Sequence, residues 1–474
     1  MKLKELLQTT VYGDMDICGI TDDSRKVEPG CVFVCIDGAA VDGHRFAEEA
    51  LKKGAAIIVC QRDLGLPNQI VLQDTRTVYA EMCAKWFDYP SKRLKILGVT
   101  GTNGKTSVSY MLKAILEEAG HKVGLIGTIQ NMIGDEVLSS KNTTPGPYQL
   151  NELFSQMLDK GCDYAVMEVS SHALDQKRVH GIHFAAAMFT NLTQDHLDYH
   201  KTMENYMLAK KRLFAMAEIA ILNYDDPWSD RIAEGLTCPV SSYSTVGDDA
   251  SYSAKNIVYS PTGVDFEFVG YSVIGRMRLH TGGKFTVYNA MCAATCAVEM
   301  GVPIQTVCRA LDNLKGVKGR AEVVPTNRDF TVIIDYAHTP DGLENVLSTF
   351  KECKKNRLVV LFGCGGDRDR TKRPLMAKAC AALADFLIVT SDNPRTEDPE
   401  KIIDDILVGL ADTKTKYVTI PNRVEAIHYA IENARKGDII VLAGKGHETY
   451  QILENQTIHL DEREVVKEAL ERLK

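Results

Sequence analysis

Apolar residues in this chain come in short runs, and the spacing between them changes along its length. Up to about residue 90 the runs are brief and β-rich, CVFVCI (31–36) and GAAIIVC (54–60), with helical patterns between them. DYPSKRLK (88–95) closes that stretch with a proline and basic residues, the composition of a linker. A second block, 91–322, begins around ILGVTGTNGKTS and ends at GVKGRAE. From 323 to 474, strand and helix patterns alternate plainly through TVIIDYAH, RLVVLFGCGG, DFLIVTSDNPR, KYVTI and DIIVLAGKGHE. Continuous apolar strands separated by helices predict a parallel sheet covered on both faces, with ligands beyond the carboxyl ends of its strands. Four of those five runs end in polar or glycine-rich loops, where such a site would lie. The pattern predicts an α/β protein of three domains, 1–90, 91–322 and 323–474.

Composition narrows the function classes. A length of 474 residues agrees with three domains, at roughly 100–200 residues each. A net charge of −8 argues against a binder dominated by nucleic-acid phosphates. The N-terminal stretch has no signal-peptide run, and no segment approaches the ~20 apolar residues of a membrane span. Thirteen scattered cysteines without a CxxC pair fit reduced thiols in a cytoplasmic protein. The expectation is a cytoplasmic monomer with neither nucleic-acid nor membrane partners.

GVTGTNGKTS (98–107) follows an apolar run and precedes the helical pattern VSYMLKAILEEAG. Backbone N–H groups of Gly101, Thr102, Asn103 and Gly104 could wrap phosphate oxygens there, with Lys105 on the terminal phosphates and the Thr106 hydroxyl on magnesium. Val99 stands where the strict G-x4-GK[ST] pattern has its first glycine, and a glycine-rich turn without nucleotide is the alternative. Further on, Glu168 ends an apolar strand in YAVMEVSSHALDQKRV, and Asp195 and His196 follow another in MFTNLTQDHLDYH. Carboxylate and imidazole at adjacent strand ends can converge on a cation that bridges phosphates. Singly, Glu168 also suits a helix cap, Asp195 a loop cap and His196 a hydrogen-bonded loop histidine.

GVTGTNGKTS, NTTPG (142–146), MEVSSHALDQKRV, FTNLTQDHLDYH, DYAHTPDGLENVL and FGCGGDRDRTKRPLM occur in the order and spacing of the Mur ligases. Along essentially its whole length the chain resembles that family, the ATP-dependent amide-forming ligases of peptidoglycan precursor synthesis. It looks most like the branch that adds the third peptide residue. The resemblance implies an N-terminal nucleotide-sugar domain, a central P-loop ATPase-like domain and a C-terminal Rossmann-like domain. It also implies ATP as co-substrate, Mg2+ as cofactor, and UDP-N-acetylmuramoyl-L-alanyl-D-glutamate and a diamino acid as substrates. In this family the acceptor carboxylate attacks the ATP γ-phosphate, and the incoming amine then displaces phosphate from the acyl phosphate.

Carried over residue by residue, the resemblance makes Thr106 and Glu168 ligands of one Mg2+, and Glu168 and His196 ligands of a second. Catalysis would rest on Lys105, Glu168, His196 and Lys210. The family's carbamylated lysine falls at Lys210 in ENYMLAKKRLF (204–214), with Lys211 the alternative if the register shifts. Read without the family, Lys210 is an exposed helical lysine. The nucleotide sugar would meet Ser24, Thr143, Thr144, Ser170, Gln176 and Arg178. ATP would meet the phosphate loop together with Asn289, Arg320, Asp335, Tyr336 and His338. Asp335 and Arg320 suit ribose or phosphate, and the aromatic–histidine pair suits adenine. On its own chemistry Ser24 equally suits a turn, and Tyr336 core packing. The chain departs from the family pattern at Ser107, Thr286 and Lys318, none of them catalytic positions.

In SDNPRTEDP (391–399) the loop reads Asp-Asn-Pro-Arg, the form found in family members that use meso-2,6-diaminopimelate. In members that use L-lysine the arginine is replaced. A guanidinium fork can take the second carboxylate that lysine lacks. The implied pocket comprises Arg368, Asp392, Asn393, Pro394, Arg395, Gly444 and Glu448, with Glu448 facing a substrate ammonium. The alternative for Arg395 is a surface ion pair with Glu397 or Asp398. Rival readings are ligation of L-lysine or another diamino acid, a folate polyglutamate ligase and a non-catalytic nucleotide switch.

Overall fold

The computed structural model describes residues 1–7, 9–38 and 41–473, which form three α/β domains, each built on its own sheet. The first sheet is four parallel strands in sequence order, Gly19–Thr21, Cys31–Val34, Ile57–Cys60 and Gln69–Val71. The central sheet has eleven strands. Within it, strand Lys95–Thr100 pairs in parallel with Tyr164–Glu168 on one side and Ala186–Phe189 on the other. Antiparallel additions extend it at both edges, through Asn131–Ile133 and Glu136–Leu138 at one and Gly263–Gly270 and Val273–Leu279 at the other. The third sheet carries the five apolar runs as parallel strands, in the order Thr331–Asp335, Ile439–Ala443, Leu358–Phe362, Phe386–Val389 and Lys416–Thr419. Its edge strand Glu322–Val324 is antiparallel and straddles the expected division between 322 and 323.

Each sheet is covered by an apolar layer on both faces. Helix Lys105–Glu118 shows why the sequence folds this way. Val108, Met111, Leu112, Ile115 and Leu116 recur at helical spacing and are buried against the central sheet. Packing of that stripe fixes the helix N-terminus at the carboxyl end of strand Lys95–Thr100, and the fold thereby positions the phosphate loop. No described helix is long and apolar enough to cross a membrane.

Candidate active site

Between strand Lys95–Thr100 and helix Lys105–Glu118 the chain turns through two glycines with left-handed backbone, Gly101 (φ +149°) and Gly104 (φ +87°). A Cβ would strike Thr190 Oγ1 at Gly101 and Asn289 Oδ1 at Gly104. Asn289 thus packs against the loop from helix Lys284–Glu299. Gly104→Ala is expected to lower Tm, since a forced left-handed residue costs about 1–3 kcal/mol, and to remove the Tm rise that ATP gives the unaltered protein. A melting scan with and without ATP checks this; an unaltered ATP response would contradict it.

Lys105 folds back along the loop, its Nζ donating to Gly101 O and Thr102 O, both at 2.8 Å. Burial lowers its pKa, against the opposing pull of Glu168 and Asp195. Beneath the loop Glu168 is 1% exposed. It accepts from Thr106 Oγ1 at 3.1 Å and from Thr128 N and Oγ1, both at 2.9 Å. His196 has left-handed backbone (φ +52°), and its ring meets those of His172 at 4.8 Å and Tyr206 at 6.1 Å. Burial pushes the imidazole down to about 4, so it is neutral near pH 7 with a free nitrogen lone pair. Asp195 stays close to His196 and lies 3.7 Å from Lys372 Nζ of the third domain.

Lys210 corrects the reading made from residue type alone. It is 1% exposed, on the face of helix Met203–Lys211 that also buries Tyr206 and Met207. Its Nζ donates to Gly101 O at 2.8 Å and lies 4.4 Å from the centre of the Tyr206 ring. Burial, and then the charge of Lys105, lowers its pKa well below the usual lysine range. Lys211 points elsewhere and donates to Arg231 O at 2.7 Å.

Across from the loop, Arg320 donates to Thr106 Oγ1 at 3.2 Å and stacks 4.6 Å from the centre of the Tyr336 ring. Tyr336 in turn meets His338 at 4.7 Å and His447 at 4.9 Å. Asp335 is buried, and its two oxygens accept from Ala321 N at 2.6 Å and Ala337 N at 2.7 Å, so it clamps the segment entering the third sheet and keeps one lone pair on each oxygen. Asp341, unremarked in the sequence, reaches the loop from helix Pro340–Cys353 and accepts from Asn103 Nδ2 at 3.1 Å and Thr193 Oγ1 at 2.7 Å.

The residues expected to hold the nucleotide sugar divide into two groups. Thr144 Oγ1 donates to Glu168 O at 2.9 Å and accepts from Ser170 N at 3.0 Å. Arg178 donates to Thr144 O at 3.0 Å and twice to Gln176 Oε1. Thr143 shares a hydrogen bond with Thr128, which links it to Glu168. A cavity of about 320 Å³ opens where Asp22, Arg76, Tyr79, Asn142, Gln176 and Arg178 meet between the first two domains. Ser24 is not part of its wall; it begins a short turn, and its carbonyl accepts from Lys53 Nζ at 2.9 Å. Arg76 was missed because a single arginine on helix Thr75–Trp86 reads as surface. Its Nη2 donates to Asp37 O at 2.5 Å, and among the described residues neither Arg76 nor Arg178 has a carboxylate within 4.0 Å.

Beyond strands Phe386–Val389 and Ile439–Ala443 the amino-acid loop closes on itself. Asn393 Nδ2 donates to Glu448 Oε2 at 2.9 Å, and its Oδ1 accepts from Ile452 N at 3.0 Å. A Cβ at Gly444 (φ +112°) would lie 2.6 Å from Asp392 Oδ2. Pro394 is buried, and Arg395 after it has left-handed backbone (φ +53°), held by its N–H donating to Ile452 O at 3.1 Å. The ion pair considered for Arg395 is absent. Glu397 instead takes both arms of Arg373, at 2.8 and 2.9 Å, and Asp398 caps helix Pro399–Val408. Arg395 Nη1 donates only to a carbonyl, Gly366 O at 2.7 Å, and Arg368 Nη1 only to Asp367 O at 3.2 Å. Among the described residues neither guanidinium has a carboxylate partner. Lys445 is completely buried, with its Nζ 3.0 Å from Asn393 Oδ1.

Comparison with known proteins covers all three domains. The description "Mur ligase family, catalytic domain" matches residues 16–86, "Mur ligase middle domain" residues 99–297, and "Mur ligase, glutamate ligase domain" residues 319–446. The UDP-N-acetylmuramoyl-L-alanyl-D-glutamate–2,6-diaminopimelate ligase of Clostridium botulinum is 46% identical over 100% of both chains. Its namesake from Caldanaerobacter subterraneus is 48% identical over 99% of each. A solved structure of a ligase with that name superposes with a TM-score of 0.75 at 33% identity, covering 100% of this chain and 99% of its own. The MurF ligase of Thermotoga maritima in complex with ADP shares the fold, with a TM-score of 0.61 at 17% identity over 96% of this chain and 97% of its own.

Proposed function

The chain belongs to the Mur ligase family, and we propose that its three domains divide the work of one amide-forming reaction. It is an ATP-dependent ligase that adds 2,6-diaminopimelate to UDP-N-acetylmuramoyl-L-alanyl-D-glutamate in peptidoglycan precursor synthesis. It acts in the cytoplasm, where its thirteen free cysteines stay reduced.

The physical obstacle is that an anionic carboxylate has to approach an anionic triphosphate. Backbone N–H groups around Gly101–Thr106 and the start of helix Lys105–Glu118 offer partial positive charge to the phosphates. Lys105 would leave Gly101 O and Thr102 O for phosphate oxygens. Arg320, Tyr336 and His338 form the nucleoside side of the site. The buried Glu168 carboxylate and the Thr106 hydroxyl, 3.1 Å apart, are hard oxygen donors that fit one Mg2+ and would hold it, and Glu168 with the neutral His196 ring would hold a second. When bound, the ion screens the charges of the phosphates and the attacking carboxylate. Lys210, whose buried amine gives up its proton more readily than an ordinary lysine, is suited to add CO2 as a carbamate: the deprotonated nitrogen attacks carbon and releases a proton, and an anion then stands beside the phosphate loop.

The D-glutamate carboxylate then attacks the γ-phosphorus and ADP leaves. The amine attacks the acyl carbon, the carbon–oxygen bond breaks, and inorganic phosphate departs with loss of the ammonium proton. Arg178 and Arg76 face the diphosphate of the nucleotide sugar from two domains. Arg76→Ala is expected to raise KM for that substrate about tenfold, the loss of one charged hydrogen bond, with KM for ATP unchanged. Steady-state kinetics with each substrate varied in turn will show this, and a parallel rise in every KM would contradict it.

For diaminopimelate over L-lysine, the supporting observation is the unpaired Arg395. A cation held in left-handed backbone beside Arg368, with only a carbonyl for company, is poised for a carboxylate. The test of the reaction is stoichiometry. ADP should accumulate one-for-one with tripeptide product only when both substrates are present; ATP hydrolysis indifferent to them would mark a nucleotide switch instead.

A further inference from the structure

The geometry points to Lys445 as a positioning residue that sets the charge and orientation of the amino-acid pocket. The inference rests on the ligase reading above and goes beyond it, since Lys445 touches neither nucleotide nor phosphate loop in that scheme. Lys445 follows strand Ile439–Ala443 and is 0% exposed. Its Nζ lies 3.0 Å from Asn393 Oδ1, 3.2 Å from Glu448 Oε2 and 3.7 Å from Asp392 Oδ1. A buried lysine is normally excluded on solvation grounds unless it is paired. Here it is paired with more negative charge than it can neutralise.

Two consequences follow from charge and hydrogen-bond counting. First, Lys445 and the Ile452 N–H both claim Asn393 Oδ1, so Nδ2 has to face Glu448, as it does at 2.9 Å. The amide is thereby locked, and Glu448 Oε2 takes two donors. Glu448 Oε1 receives no hydrogen bond from the described residues and is left for a ligand. Second, Asp392 and Glu448 carry two negative charges against one ammonium. The residual charge asks for one cationic group, while Arg368 and Arg395 close by ask for an anionic one. That pairing describes a carbon bearing both ammonium and carboxylate, which the far end of diaminopimelate has and the far end of lysine lacks. Without Lys445, Asp392 and Glu448 would repel each other and Asn393 would be free to flip.

Lys445→Met is expected to raise KM for meso-diaminopimelate about 10- to 100-fold, the loss of a charge-assisted anchor, with a smaller change in kcat. KM for ATP and for the nucleotide sugar should be unchanged. Acyl-phosphate formation in the absence of the amino acid, trapped by borohydride, should persist. A KM for diaminopimelate within about twofold of the original, or a common rise in all three KM values, would overturn the inference. If K445M does not fold, Lys445→Gln, which keeps a donor toward Asn393 but removes the charge, is read by the same criteria. Failure of the unaltered protein to ligate any diamino acid would count against the ligase reading instead.

Discussion

Lys210→Ala is expected to cut kcat by about 10²–10³, the usual loss when a preorganised charge at a phosphoryl-transfer site is removed. KM for the nucleotide sugar should move little. The size follows from where the side chain sits. Lys210 Nζ is buried 2.8 Å from the carbonyl of Gly101, in the phosphate loop itself. Left as a cation it would face Lys105, whose charge already lowers its pKa. Conversion to a carbamate removes that repulsion and supplies an anion where a metal–phosphate complex needs one. Partial recovery of kcat when formate or acetate is added to K210A would identify the missing group as a carboxylate. Undiminished turnover would remove Lys210 from the chemistry.

The second large effect concerns selection of the amino acid. Arg395→Ala should lower kcat/KM for meso-diaminopimelate by about 10²–10⁴, the loss of the two charge-assisted hydrogen bonds of a guanidinium fork. L-Lysine, with no distal carboxylate, should be affected far less, and the two substrates should approach parity. Arg395→Lys should recover only part of the loss, because an ammonium makes no bidentate fork. KM for the nucleotide sugar and ATP should not follow. Equal losses for both amino acids would show that Arg395 holds the loop and not the ligand.

The motif residues were legible in the sequence because their chemistry is local. A glycine-rich turn between strand and helix needs left-handed backbone at Gly101 and Gly104, and the turn states this in its own residues. The five apolar runs of the third domain likewise announced a parallel sheet. Burial decided the rest, and burial is not local. Lys210 looks like any surface lysine until helix Met203–Lys211 packs Tyr206 and Met207 inward and carries it along. Arg76 acquires meaning only when the first domain meets the second across the cavity that Arg178 also lines. Asp335 sits in a motif suggestive of ribose, and only the fold shows that two backbone N–H groups also anchor its oxygens. The antiparallel edges of the central sheet were not anticipated either. Strand Gly263–Gly270 alternates buried and half-buried residues, a weaker signal than a continuous apolar run.

Competition between amino acids decides which one the protein ligates. The protein would be incubated with ATP, Mg2+, UDP-N-acetylmuramoyl-L-alanyl-D-glutamate and equal concentrations of meso-diaminopimelate and L-lysine, and the nucleotide-linked products separated by mass. The diaminopimelate tripeptide should be the dominant product, with one ADP and one phosphate for each molecule formed. A lysine tripeptide in excess, or ADP without either product, would contradict it.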